Sequence, residues 1–347
     1  MRKKSLVKLI GCVCLVLVLV IPLSLAACGP AQPEGPITLK VLRPWPYDSK
    51  DLIGYREYIN RVNAKAPGEL VLEDIGGSEV YPSREQLEPL KLGSVDILLT
   101  SAGYIADAFP EPVSLMYVFG ASHAEARKAG LIKTLNKIAK EEHGLTLLGM
   151  PWYGSAILYL TKPITSLSDL TTLKIRSHPA YDPVIKGLGA ATVSVGFGDV
   201  FTALDRGTID GIMWVPWDLV TYGLEEAITH RVDPPFLRAG WSPMLMNAAR
   251  FEALSGKHRA ILTDTMEEVE NDFENIAAGP MAEEWAQLRA AGIQDIDLSN
   301  ADWLMIQEVA WTEFQKIISE VSPDHAADLI KILSKLYPPS QQYATPD

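Results

Sequence analysis

The stretch LKIRSHPAYDPVIKGLGAATVSVGFGDVFTALDRGTIDG, Leu173 to Gly211, decides the fold. Leu173 to Ile175 read as a short apolar strand that ends on Arg176. Pro179 to Leu188 can form one helix, and Gly189 suits the left-handed backbone that stops it. A β-branched run, Ala191 to Val195, leads to Phe197, and Asp199 is placed to cap a helix running through Asp205. Strand, helix, strand, helix is the pattern of an α/β unit, whose ligands gather beyond the carboxyl ends of strands. Arg176 stands at such an end. On pattern alone it is either a ligand clamp or a solvated arginine.

Toward the N terminus the same alternation continues. Ile37 to Leu42 is a strand, followed by the loop Arg43-Pro44-Trp45-Pro46. Leu52 to Asn63 has helical periodicity, Glu69 to Ile75 alternates like a strand, and Gly76-Gly77 turns the chain. Ser83 to Leu92 reads as a helix capped by Ser83 with Gln86 as its partner. Val95 to Thr100 is an apolar strand ending at the loop Ser101 to Tyr104. Ala124 to Glu142 reads as one amphipathic helix, Leu145 to Tyr153 as a strand ending in Trp152-Tyr153, and Ile157 to Thr161 as another strand.

Toward the C terminus, Ile209 to Trp214 is a buried strand with Trp217 beyond it. Arg231 to Phe236 is a proline-rich connection and Met244 to Asn247 a short strand. Phe251 to Ala290 is largely helical with a break at Pro280, and helices follow over Asp302 to Val321 and Ala326 to Leu336.

Composition limits the function. The chain has 347 residues, enough for two domains, and its 48% hydrophobic and 21% charged residues are ordinary for a globular protein. A formal charge of −12 argues against a nucleic-acid partner, which needs a basic footprint. The first thirty residues read as a targeting signal: Arg2, Lys3, Lys4 and Lys8 precede an apolar core, Leu9 to Leu25. Leu25-Ala26-Ala27-Cys28 matches the lipobox of bacterial lipoproteins, in which cleavage leaves Cys28 N-terminal and lipidated. The mature chain then starts with a flexible tether, residues 28–36. With all cysteines at Cys12, Cys14 and Cys28, the body holds no disulfide and no thiol nucleophile.

The sequence holds no G-x-S-x-G elbow, H-E-x-x-H, Walker A or EF-hand loop. Gly187-Leu188-Gly189 ends a helix instead of opening one and lacks a third glycine, so it reads as a C-cap. His123, His143, His178, His230, His258 and His325 form no pair at metal-ligand spacing. The aromatics Trp45, Tyr104, Trp152, Tyr153, Phe197, Trp214 and Trp217 mostly fall in loops at strand ends. Singly each suits a core; together they suggest an aromatic-lined cleft.

These residues resemble one family. Lys174-Ile175-Arg176, Leu188-Gly189-Ala190, Phe197-Gly-Asp199-Val-Phe201-Thr-Ala-Leu204 and Arg206-Gly-Thr-Ile-Asp210-Gly211 are similar to the central block of TRAP-transporter solute-binding proteins, the DctP type. That block reads K-[IL]-R, L-G-A, then F-x-E-V-Y-x-A-L-Q-x-G-x-V-D-G. Gly76-Gly77, Leu87-Glu-Pro-Leu-Lys-Leu-Gly93-Ser-Val-Asp96, Phe109-Pro-Glu111, Leu167-Ser-Asp169-Leu170 and Met246-Asn247 fit as well, so the resemblance spans the mature chain.

The resemblance implies an α/β, two-domain periplasmic-binding-protein-like (type II) fold. Each domain has a mixed sheet flanked by helices, and a long C-terminal helical region follows. The expected division is 37–153 with about 240–280, and 154–239 with about 281–340. It implies a small organic acid held in the cleft, its carboxylate on Arg176, with Trp214, Phe197, Tyr104, Trp45, Trp217 and Tyr153 as walls. A guanidinium fork meets a carboxylate through two parallel charge-assisted hydrogen bonds, which lysine does not reproduce.

It further implies an extracytoplasmic, lipid-anchored receptor that serves the TRAP membrane permease subunits and performs no catalysis. An enzyme or a signalling sensor on the same scaffold is the alternative. Members that bind sialic acid carry a second arginine near this chain's Ala156 and an asparagine at Trp214, so that ligand is not expected. Some members that bind oxo-acids place a metal-binding glutamate where this chain has Met213. No cofactor is therefore expected, and a ligand-bridging cation is in doubt. The remaining expectation is a monocarboxylate with an apolar body: an oxo-, hydroxy- or aromatic acid.

Overall fold

Eleven strands form two mixed sheets. In chain order they are β1 (Ile37–Leu42), β2 (Leu70–Gly76), β3 (Ile97–Leu99), β4 (Leu145–Tyr153), β5 (Ile157–Leu160), β6 (Lys174–Arg176), β7 (Ala191–Val193), β8 (Gly211–Trp214), β9 (His230–Asp233), β10 (Trp241–Asn247) and β11 (Gln294–Asp297). The structure is a computed structural model. It describes residues 35–177, 181–233, 237 and 241–337, apart from the side chains of Tyr153, Phe197, Asp233 and Trp241. Cys28, the targeting signal and most of the tether lie outside the described residues, as does the expected helix start at Pro179.

The first sheet runs β2-β1-β3-β10-β4 and the second β11-β9-β5-β8-β6-β7. Strands β1 and β3 are parallel, with Val41 opposite Ile97, and β10 lies antiparallel between β3 and β4. A central strand has both faces covered, which is why Met244, Leu245 and Met246 form an uninterrupted apolar run with 0% exposure. In the second sheet β6 is parallel to both β7 and β8, and β5 is antiparallel to β8 and β9. The chain leaves the first sheet after β4 and returns to it at β10. Ala156 and Leu237 meet in an antiparallel bridge where the two crossings run side by side. Both sheets belong to one unit, residues 38–347.

The helices are α1 (Ile53–Lys65), α2 (Leu87–Lys91), α3 (Ala102–Ile105), α4 (His123–Ala129), α5 (Leu131–His143), α6 (Asp182–Gly187), α7 (Val200–Asp205), α8 (Ala248–Ala253), α9 (Gly256–Ala290), α10 (Asn300–Val321) and α11 (Pro323–Leu333). The longer helices bury an apolar stripe, whereas α8 buries no residue. In α5, Leu131, Ile132, Leu135, Ile138 and Ala139 recur at helical spacing and all are buried. In α10 the stripe is Trp303, Ile306, Gln307, Ala310, Phe314 and Ile318, and each fully buried large side chain in it stabilises by roughly 1.5–3 kcal/mol.

Several elements differ from the sequence reading. The single helix expected over Ala124 to Glu142 is two, because Gly130 takes φ +97 and closes α4 before α5 begins. Pro280 does not break α9, which runs through it from Gly256 to Ala290. Ser83 caps no helix; its hydroxyl donates to Pro44 O at 2.8 Å, and α2 begins only at Leu87. Asp199 occupies the N-cap of α7 without a side-chain capping bond. Arg231 to Phe236, expected as a connection, begins inside a strand: β9 (HRVD) pairs with β5 on one side and with the edge strand β11 (QDID) on the other.

Gly211, in the deciding stretch, is required by packing. A Cβ there would sit 2.4 Å from Tyr159 O and 2.7 Å from a Leu160 methyl on the facing strand. A backbone carbonyl held in a sheet cannot retreat, so Gly211→Ala is expected to destabilise by about 2 kcal/mol. Urea unfolding should show a lower midpoint with an unchanged slope.

Candidate functional site

A cavity of about 480 Å³ opens between the strand ends of the two sheets. The first sheet contributes Pro44 to Asp51 beyond β1, Ser101 and Tyr104 beyond β3, Trp152 in β4 and Ser242 in β10. The second contributes Arg176 at the end of β6, then Met213, Trp214, Val215, Asp218 and Tyr222 from β8 onward. Parallel strands aim their carboxyl ends, with the loops that follow, at one crevice, and this chain builds its cavity there.

Arg176 is half-buried. Its Nε donates to Val195 O at 3.5 Å, and its guanidinium carbon lies 5.2 Å from the centre of the Trp214 ring. Burial pulls its pKa down from the usual arginine value, partly offset by Tyr104 and Asp182. It stays charged all the same. Among the described residues no carboxylate pairs with it. A partly desolvated guanidinium gains most from an anion that meets its planar fork with charge-assisted hydrogen bonds.

The aromatic walls are braced from behind. Trp45 packs on Tyr104 (ring centres 6.5 Å apart) and Trp152 (6.4 Å), and Trp214 meets Tyr222 edge-on at 6.3 Å. Buried Arg43 fixes the Trp45 loop by donating from Nη1 to Trp45 O at 2.6 Å. Asp74 holds that arginine at 2.9 Å and itself accepts from Tyr55. The loop is therefore anchored by a satisfied buried ion pair rather than by its own sequence.

The opposite wall is acidic. Asp51 lies in the short turn Lys50–Leu52, and its Oδ1 accepts from Trp217 Nε1 at 2.7 Å. Burial pushes its pKa up to about 7; the Trp217 bond opposes that rise and Asp218 adds to it. Asp218 is buried at φ +66, an uncommon backbone for a non-glycine residue. Its Oδ2 accepts from Ser49 Oγ (3.1 Å) and from Lys50 N (3.2 Å). Burial raises its pKa too.

Of the residues singled out from sequence, Arg176, Trp214, Tyr104 and Trp45 meet at this cavity. Trp217 does not line it: at 0% exposure it stands behind Trp152, ring centres 6.2 Å apart, and acts on the cavity from behind, through Trp152 and through its bond to Asp51. Tyr153 ends β4 and Phe197 opens the turn before α7, but their side chains lie outside the described part of the structure. Asp51, Asp218, Met116, Tyr181 and Tyr222 line the cavity without having been expected there. Met213 is also among the lining residues, and a thioether is a poor ligand for a hard cation. Among the described residues no three His, Cys, Asp or Glu stand together as a metal site.

Residues 46–320 match the family model of bacterial extracellular solute-binding proteins, family 7, the DctP type. The chain belongs to this family. Within it, a C4-dicarboxylate-binding periplasmic protein, DctP, of Rhodobacter capsulatus is 26% identical over 299 residues, 84% of this chain and 87% of that one. A monocarboxylate 2-oxoacid-binding periplasmic protein of Nostoc sp. is 24% identical over 287 residues, 80% of this chain and 78% of that one. Among solved structures, a TRAP periplasmic solute-binding protein of Desulfovibrio salexigens with bound orotic acid has a TM-score of 0.74 at 18% identity, covering 86% and 98% of the two chains. The two-sheet α/β architecture is thus that of DctP-type solute-binding proteins, a family of solute receptors. No described helix is long and apolar enough to cross a membrane.

Proposed function

We propose that this DctP-type protein is the extracytoplasmic receptor of a TRAP transporter. It takes a small monocarboxylate, an oxo-, hydroxy- or aromatic acid, into the cavity and delivers it to the membrane permease subunits. The observation that carries the reading is the half-buried Arg176 guanidinium, unpaired with any described carboxylate and flanked by Trp214 and Tyr104. The acidic wall at Asp51 and Asp218 disfavours a second carboxylate, so a monocarboxylate fits better than a dicarboxylate. The oxoacid-binding name of the Nostoc relative and the orotic acid held by the Desulfovibrio protein, itself a ring monocarboxylate, agree with that preference.

The lobes are assigned as residues 37–153 with about 240–280, and 154–239 with about 281–340, closing on the solute. The division of strands between the two sheets supports this. The lipobox ending at Cys28 supports anchorage of the mature chain to a membrane by lipid, and the chain is read as a carrier rather than a catalyst.

A thermal-shift screen of organic acids, followed by calorimetry, tests the reading. Oxo-, hydroxy- or aromatic monocarboxylates are expected to raise the melting temperature more than malonate or succinate at equal concentration. A screen in which no acid shifts the transition, or in which dicarboxylates bind tightest, overturns it.

A further inference from the structure

The cavity has polarity: a guanidinium on the wall from the second sheet, and carboxylates on the wall shared by the turn after β1 and the segment after β8. The two acids are not equivalent. Asp218 spends Oδ2 on Ser49 Oγ and Lys50 N, while its Oδ1 faces Thr221 (3.5 Å) and Lys50 Nζ (4.0 Å). Asp51 uses only Oδ1, on Trp217 Nε1; its Oδ2 has no hydrogen-bond partner among the described residues. An acceptor left open on a ligand cavity, held by an indole from behind, is placed to receive something that enters.

We propose that the solute carries a hydrogen-bond donor, an ammonium or a hydroxyl, away from its carboxylate, and that Asp51 Oδ2 accepts from it while Arg176 holds the carboxylate. This rests on the carboxylate reading above and adds the chemistry of the other end. Asp51, Tyr104 and Arg176 all line the one cavity, and both charges act on the Tyr104 hydroxyl, with opposite sign. A ligand with a carboxylate at each end places like charges together at Asp51. One with an apolar end leaves Asp51 desolvated and its Oδ2 unfilled.

The same arrangement makes binding depend on pH. Facing Asp51 are Asp218, Trp217 and Tyr222 from the segment after β8, Tyr104 from α3 and Tyr181 before α6. Lys50 and Asp48 flank it on its own turn, and Glu284 of α9 lies behind Lys50. Only ionised Asp51 accepts fully through both oxygens. With its pKa pushed up to about 7, that form is the minority below neutrality and the majority above it. Affinity for an ammonium-bearing acid is expected to rise about tenfold from pH 6 to pH 8.

The test is calorimetry on the full mature chain with straight-chain acids of four to six carbons. Their far ends carry an ammonium, a hydroxyl, a methyl or a carboxylate. Ammonium or hydroxyl forms are expected to bind at least tenfold tighter than methyl or carboxylate forms. Asp51→Asn, which keeps an acceptor for Trp217, is expected to erase both that preference and the pH trend. The ammonium series separates from the hydroxyl series by having the steeper pH profile. The wild-type panel and its pH profile stand even if the variant folds poorly. Methyl- or carboxylate-ended acids binding as tightly as the others, or a preference surviving in Asp51→Asn, overturns the inference and leaves the carboxylate reading intact. Failure of every acid to bind, with Arg176→Ala indistinguishable from wild type, overturns both.

Discussion

Arg176→Ala is expected to weaken carboxylate binding by about 2–5 kcal/mol, roughly 30- to several-thousand-fold, because it removes the charged partner of a desolvated anion. The solute's carboxylate then enters a cavity whose remaining charges, Asp51 and Asp218, repel it. Stability should barely fall, since the wild-type guanidinium is itself half-buried without a described carboxylate and its removal relieves that desolvation. Arg176→Lys separates charge from shape. An ammonium supplies the same charge but no planar fork, so its affinity should fall between wild type and alanine. Calorimetry with the best acid from the screen measures all three proteins. An alanine variant that binds as wild type does would remove Arg176 from the site.

The second large effect is on folding. Glu284 of α9 has a side chain of 0% exposure. Its Oε2 takes Lys50 Nζ at 2.8 Å, while Oε1 accepts from Leu219 N (2.9 Å) and Val220 N (3.3 Å). Lys50→Met leaves that carboxylate buried with no cation. The expected cost is about 3 kcal/mol, at the low end for a broken buried pair because Lys50 is itself 23% exposed. For a chain of this size that is a fall of about 5 °C in melting temperature. Adding Glu284→Gln removes the stranded charge and should recover part of the loss. A single variant that melts as wild type does would show that the two backbone donors suffice. Because Lys50 Nζ also lies 4.0 Å from Asp218 Oδ1, the variant should in addition take a cation away from the acidic wall, while the backbone bond from Lys50 N to Asp218 remains.

The place of Arg176 at the carboxyl-end crevice was legible from a short apolar strand within an α/β repeat, but that pattern left clamp and solvated arginine open, and the resemblance to DctP-type proteins singled it out. Trp45, Tyr104 and Trp214 were legible as loop or strand-end aromatics. Asp51 and Asp218 were not. Each sits in a short turn with no period, and they meet only because the chain crosses between sheets. An acidic residue in such a turn looks the same whether it faces solvent or a cavity. Trp217 misled in the opposite direction: it follows a strand end as Trp214 does, yet points back onto Trp152. The fold reading failed where local signals were weak or overridden. Gly130 sits inside an otherwise continuous amphipathic pattern. Pro280 is tolerated because α9 is held along its length, by α1 and β4 among others.

The cluster of indoles at the cavity has an optical consequence. Trp45, Trp152 and Trp214 all front the cavity, and steps of 6.4 and 6.2 Å join Trp45 to Trp152 and Trp152 to Trp217. At such spacing excitation passes readily from ring to ring, so a change of surroundings at one indole is reported by the others. The protein carries its own fluorophore at the cavity, and tryptophan emission is expected to follow binding there in real time without any label.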